Sequence, residues 1–475
     1  MPTSTEITIS EEGKSSRANY LGPKREFTEE ERNNIKKQLA IYAGEAEKLK
    51  EEAQRGSTSC IYRVLPRLKE SNGDRLYKPN KLSIGPYYYN LRNYEDFKMA
   101  EDYKRKCFGS LLVKTTDQEM QINTHMSCLQ RISELEKEIR TCYSEEFEVA
   151  GIEFLEMMVV DACFIIEIIE MFELGTKVTY RKRESDLEAL TWMVPYLYRD
   201  FLLLENQIPF FVLEEIHALT HNISVEESRF TMLSTALRFF RNGMKRFDPL
   251  SADDIFEMDS GPVLHLLDLV RRSLIPSNIG LGAMGFLESP FIHCISKLKL
   301  AGIKVSPVME AESFLEVKFK KGVIEMPNIA IDDLMRCLLL NCVAFEQCQQ
   351  RSGRYFSVYA TFLDCLVNTK EDVEYLRERN VIDNYLTDDS ELAGFINRAG
   401  KDLALSFLDG WYMGELFMDV DRHYRNRWKW KWASFEREYI DKPWLLLSAA
   451  GGILLVVATS FQAVMAFLTY KYKSC

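Results

Sequence analysis

Residues 444–468, WLLLSAAGGILLVVATSFQAVMAFL, carry no charged side chain, and their most polar member is Gln462. A helix of that length spans about 37 Å, enough to cross a hydrocarbon core of about 30 Å with some tilt. A core helix of a water-soluble protein rarely stays uncharged for so long, so the sequence predicts a transmembrane helix over 444–468. Trp444 opens it and Leu468 closes it; Gly451 and Gly452 thin its middle without forming a Gly-xxx-Gly dimer motif. A homo-oligomer through these small residues is compatible with the pattern.

The flanks set an expected orientation. Between Asp421 and Pro443 stand Arg422, Arg425, Arg427, Lys429, Lys431, Arg437 and Lys442, whereas only Lys471 and Lys473 follow the span. This asymmetry predicts a cytoplasmic N-terminal body on a tail anchor in the plasma membrane or an endomembrane, with 469–475 as a short tail. Trp428, Trp430, Trp432 and Trp444 interleave with the cations, as expected of rings at headgroup level beside lipid phosphate. The first sixteen residues are polar and lack the apolar core of a secretory signal. Eleven cysteines, an odd number with no Cys-x-x-Cys, also fit a reducing compartment. The Asn222-Ile223-Ser224 sequon is therefore expected to be fortuitous.

The body reads as mainly α. Only 14 prolines and 23 glycines interrupt 475 residues, and a net charge of −11 argues against nucleic acid as a partner. Residues 1–26 read as a flexible tail and 27–443 as one large helical domain. Thr28 and Glu31 form a capping-box pattern for a charge-rich helix that Gly56 to Ser59 should end. Residues 60–90 read as an irregular apolar segment that wraps the core. Leu315, Val317 and Phe319 alternate with Glu316, Lys318 and Lys320 before Lys321-Gly322, which predicts one β-hairpin over 314–326.

Polar residues inside apolar runs mark a candidate core network. On the predicted helix 152–174, Asp161 lies opposite the face shared by Glu156, Glu167, Glu170 and Glu173, so it should be buried and partnered. Arg63 and Asn206 are the partners the sequence suggests. Glu205, Asn206 and Gln207 interrupt the run 201–219 just before Pro209, where they should satisfy backbone groups at a join between two helices.

Other constellations lack the context their chemistry needs. Gly280-Leu281-Gly282-Ala283-Met284-Gly285 matches a dinucleotide fingerprint by letter, but a helical pattern precedes it and Pro290 follows too soon, so 276–290 reads as a loop. His217 and His221 have metal-sharing spacing, but neither a metalloprotease Glu nor a nearby third ligand is apparent. Cys337, Cys342 and Cys348 point in different directions on a helix and read as packing. No nucleophile elbow, Walker loop or kinase signature occurs. No catalytic, cofactor-binding or metal-binding residue is therefore assigned.

Several blocks in fixed order resemble the plant proteins with "domain of unknown function 247". They are Cys60-Ile61-Tyr62-Arg63-Val64, Tyr77-Lys78-Pro79, Ser83-Ile84-Gly85-Pro86-Tyr87, Asp161-Ala162-Cys163-Phe164-Ile165, Leu203 to Phe211, Ile331-Asp332-Asp333, Ala344 to Cys348, and Pro443-Trp444. The resemblance runs from about Cys60 to Leu468. Tyr88-Tyr89-Asn90 departs from the family's His-His-Gly run. The resemblance implies a helical plant protein anchored near its C-terminus, with no established catalytic residue; some grass members are implicated in pollen self-incompatibility. The expected function is thus a non-enzymatic interaction or recognition protein whose partners are membrane lipid and an unidentified protein. The alternative is an enzyme using an interior site built from Asp161, Glu205 or the histidine pair.

Overall fold

A computed structural model describes residues 27–113, 118–174, 192–244, 261–276, 292–308, 310–349, 352–404, 411–435 and 443–473. The expected tail 1–26 and the Gly280–Gly285 loop lie outside the described residues. Helix makes up 67% of the structure, in seventeen helices among the described residues. The chain divides into two units, Met1–Thr58 and Ser59–Cys475.

In the first unit, α1 (Glu29–Thr58) starts as its sequence dictates. The Thr28 N–H donates to Glu31 Oε2 at 2.9 Å, and the Glu31 N–H donates to Thr28 Oγ1 at 3.3 Å. The helix passes Gly56 and ends at Thr58, within the expected stretch Gly56 to Ser59; one glycine costs about 1 kcal/mol, which a long helix tolerates.

The second unit holds α2 (Pro66–Asn72), α3 (Glu95–Val113), α4 (Gln118–Thr141), α5 (Gly151–Leu174), α6 (Val194–Asp200), α7 (Phe210–His221), α8 (Val225–Gly243), α9 (Leu266–Ser273) and α10 (Ile295–Leu300). After three strands and a fourth follow α11 (Asp333–Cys348), α12 (Tyr355–Leu366), α13 (Lys370–Glu378), α14 (Asp389–Ala399), α15 (Gly414–Arg425), α16 (Arg427–Phe435) and α17 (Pro443–Lys473). The most apolar body helix, α5, is surrounded by α3, α4, α7 and α8. Met158, Phe164, Ile166 and Ile169 on it are fully buried, as its broad apolar face requires. A second layer stacks α11 on α9 and α12, and α12 on α14.

Helix boundaries follow local chemistry. Asn222 ends α7 in the left-handed conformation, φ 54°, its N–H on the Ala218 carbonyl. Ser224 then caps α8 by accepting from the Glu227 N–H, and Asp332 caps α11 through the Met335 N–H at 2.8 Å.

The β structure exceeds the one expected hairpin. β2 (Lys318–Lys320) and β3 (Val323–Pro327) pair antiparallel across Lys321 and Gly322, at φ 51° and 85°, as a two-residue hairpin turn needs. β1 (Lys304–Val308) adds to β3 in parallel, with Val305 opposite Ile324. β4 (Ile329–Ile331) pairs in parallel with β5 (Ile382–Asn384). The hairpin is shorter than its alternation suggested because Phe314 and Leu315 turn into the core instead of extending the strand. Parallel partners reached by a crossover, 19 positions away for β1 and β3 and 53 for β4 and β5, leave no turn signal in sequence.

Candidate functional site

Segment 59–93, which has only short helical turns of its own, is fixed by side chains from elements far along the chain. Asp161 on α5 is its deepest anchor. Arg92 reaches it with Nη2 at 2.6 Å from Oδ2 and Nη1 at 3.2 Å from Oδ1. Lys104 of α3 lies 2.8 Å from Oδ1, and the Gly85 N–H donates to Oδ2 at 2.8 Å. Glu101 completes the cluster, 2.6 Å from Lys104 and 3.7 Å from Arg92. Two carboxylates and two cations balance in charge, which is what keeps such burial tolerable. Burial pushes the Asp161 pKa up, but Arg92 and Lys104 outweigh it and hold it below the usual carboxylate value. Burial, with Arg92 alongside, lowers the Lys104 pKa despite its two carboxylates.

Glu205, Asn206 and Gln207 form the second anchor. Glu205 accepts the Val64 N–H at 2.7 Å and the Tyr88 hydroxyl, and pairs with Lys69 at 2.6 Å and Arg63 at 3.2 Å. Asn206 accepts the Ile84 N–H at 2.8 Å and donates to the Leu82 and Asp200 carbonyls. Gln207 donates to the Phe201 and Leu203 carbonyls at 2.6 and 2.9 Å. These are the groups left open where α6 ends, before Pro209 leads into α7. Asp200 adds a third clasp, accepting the Asn80, Lys81 and Leu82 N–H groups. Gly85, at φ +70°, brings its α-carbon so close to the Gln207 carbonyl that a β-carbon would sit 2.5 Å from that oxygen.

The structure thus sets Arg63 with Glu205, while Asp161 and Asn206 hold neighbouring stretches of the same segment. It corrects the expected pairing of Asp161 with Arg63 or Asn206: Arg92 and Lys104 take those places. Sequence reading missed both cations because each lies more than fifty positions from Asp161 and nothing local marks either as buried. The Asp161 and Glu205 side chains have no solvent exposure. Tyr88 and Tyr89, where the chain departs from the His-His-Gly run, place their hydroxyls on Glu205 and Glu153. In the second layer, Glu346 pairs with buried Arg271 at 2.9 Å and accepts the Phe356 and Ser357 N–H groups at the start of α12.

The histidine pair has a neighbour that spacing could not reveal. Glu170 of α5 lies 3.4 Å from His217 Nε2 and 3.2 Å from His221 Nε2, both on α7. Cys337 and Cys342 are buried free thiols, consistent with packing.

Trp444, Gly451, Gly452, Gln462 and Leu468 all lie on α17, and each is exposed. Ala450–Thr469 is long and apolar enough to cross a membrane, and none of it is buried. Just before it, α16 exposes Trp428 and Trp432, with the Lys431 ammonium 5.1 Å from the Trp428 ring centre.

A helical body with clasped N-terminal strap and exposed apolar C-terminal helix defines the class to which the comparisons then give a family. The family described as "plant protein of unknown function" matches residues 61–458, and the chain belongs to it. It is similar to the UPF0481 protein At3g47200 of Arabidopsis thaliana, 28% identical over 436 residues, covering 86% of this chain and 87% of that protein. It is also similar to the putative UPF0481 protein At3g02645 of the same plant, 22% identical over 500 residues, covering 85% and 89% of the two. No solved structure matches.

Proposed function

We propose that this plant protein is a non-enzymatic interaction protein of the recognition type, held on a membrane by α17 with its body in the cytoplasm. The observation that carries the reading is the wholly exposed apolar stretch Ala450–Thr469. A twenty-residue helix this apolar, left in water, would be a large unfavourable surface, and a bilayer removes it. The Trp- and Lys-bearing α16 beside it supports an interfacial position, and the excess of Lys and Arg on that side supports the cytoplasmic orientation. Asp161 and Glu205 are saturated by cations and N–H donors, which suits anchors better than proton carriers. A self-incompatibility role is one form such recognition takes in the resembling grass proteins.

The test is full-length protein in plant microsomes, washed with alkaline carbonate and then exposed to protease. Retention in the pellet with complete digestion of the body supports the reading. Release by carbonate, or a body protected until detergent is added, overturns it. Partner capture from detergent extracts should yield a stoichiometric protein; turnover of a metabolite without such a partner would contradict the non-enzymatic reading.

A further inference from the structure

Glu170, His217 and His221 each offer one ligand atom, all within 4.8 Å of one another. The two imidazoles stack with centroids 4.3 Å apart, their planes 27° from parallel. Their Nδ1 atoms are already committed. His217 Nδ1 lies 2.9 Å from Ser228 Oγ, whose hydrogen goes to the Glu214 carbonyl at 2.6 Å, so the ring must donate there. His221 Nδ1 lies 3.1 Å from the His217 carbonyl, which can only accept. Both rings therefore donate from Nδ1 and turn Nε2 toward the same Glu170 oxygen.

When the rings are neutral, two imidazole Nε2 atoms and a carboxylate oxygen gathered within 4.8 Å are a donor set for a cation. With metal–ligand bonds of about 2.0–2.1 Å, a tetrahedral ion separates its ligand atoms by about 3.3 Å. The observed 3.4 and 3.2 Å fall on that spacing. The hydrogen bonds behind the rings are the kind that fix tautomer and orientation in metal sites. Partial exposure of His221 and Glu170, 30% and 21% of their side chains, leaves an entry path.

We propose that Glu170, His217 and His221 bind one divalent transition-metal ion of the zinc class, stapling α5 to α7. Two imidazole nitrogens and one carboxylate suit zinc and exclude calcium or magnesium, which take oxygen ligands.

The test uses full-length, histidine-tag-free protein in detergent, stripped with EDTA, then titrated with zinc and, as a spectroscopic probe, cobalt(II). We expect one zinc per chain by elemental analysis, a zinc-dependent rise in Tm, and a cobalt spectrum of tetrahedral character. Affinity should fall at least tenfold in His221→Gln and in Glu170→Gln, and be unchanged in His125→Gln, a residue outside the trio. Ser228→Ala, which frees the His217 ring, should weaken binding by about 10- to 100-fold. Should Glu170→Gln fail to fold, His221→Gln and Ser228→Ala still decide. Wild-type protein that holds no zinc, or equal affinity in the variants, overturns the proposal. So does a Glu170–imidazole pair that titrates as a shared proton regardless of zinc.

Discussion

The Lys104 ammonium stands 2.8 Å from the Asp161 carboxylate, and neither side chain reaches solvent. A charge pair so placed contributes little net stability, because desolvation offsets its attraction, but each member is indispensable once the other is present. Asp161→Asn leaves Lys104 and Arg92 against Glu101 alone and should cost about 3–5 kcal/mol in urea unfolding. Adding Lys104→Met restores the balance between Arg92 and Glu101. The double variant should therefore be more stable than Asp161→Asn, by about 1–3 kcal/mol of coupling. Additive losses would show that the cluster does not act as a charge-balanced unit.

Two glycines that share a positive φ should behave differently. Gly73 and Gly85 have φ of +91° and +70°, but only Gly85 has the Gln207 carbonyl where a β-carbon would go. Gly73→Ala should cost about 1 kcal/mol of backbone strain, whereas Gly85→Ala should cost about 3 kcal/mol or more. Equal denaturation midpoints would mean the strap is not pressed against residue 207.

His265 predicts a pH dependence. Its Nε2 lies 3.1 Å from the Cys60 carbonyl and its Nδ1 accepts the Asp268 N–H at 3.2 Å, so the buried ring is neutral with both nitrogens engaged. Burial pushes its pKa down from 6.5 to about 4. The unfolded chain takes up the proton first as pH falls, so this contribution is full above pH 6.5 and lost between 6.5 and about 4. The loss approaches about 3 kcal/mol. His265→Gln should flatten that part of the stability–pH curve; an unchanged slope would assign it to other groups.

The apolar helix can be tested by charge position. Leu455→Arg puts a cation near the middle of the span and should raise the cost of insertion by about 2.5–3.5 kcal/mol, shifting protein into the carbonate wash. Thr469→Arg, near the end, should stay in the pellet because its side chain can reach the headgroups. Equal behaviour of the two would point to retention by some other surface.

Legibility from sequence tracked locality. The capping box at Thr28 and Glu31, the turn at Lys321-Gly322, the helix 443–473 and the burial of Asp161 depend on neighbouring residues, and each could be read from the chain. The partners of Asp161 could not, because Arg92 and Lys104 are 69 and 57 positions away and carry no pattern that distinguishes them from surface cations. Glu170 escaped for the same reason: its relation to His217 exists only once α5 and α7 pack. The parallel strands β1, β4 and β5 are too short to show alternation. Buried ion pairs are decided by tertiary approach, which periodicity does not encode.

The strap's clasps set a schedule for synthesis. Glu205 meets Val64, Arg63 and Tyr88 across 117 to 142 positions of chain. At about 5–20 residues per second, the ribosome delivers residue 205 several seconds to half a minute after the strap emerges. Throughout that interval the segment lacks the Asp200, Glu205 and Asn206 anchors that hold Val64, Leu82 and Ile84 in place. Nascent chains paused between residues 92 and 200 should therefore be the species that recruits chaperones.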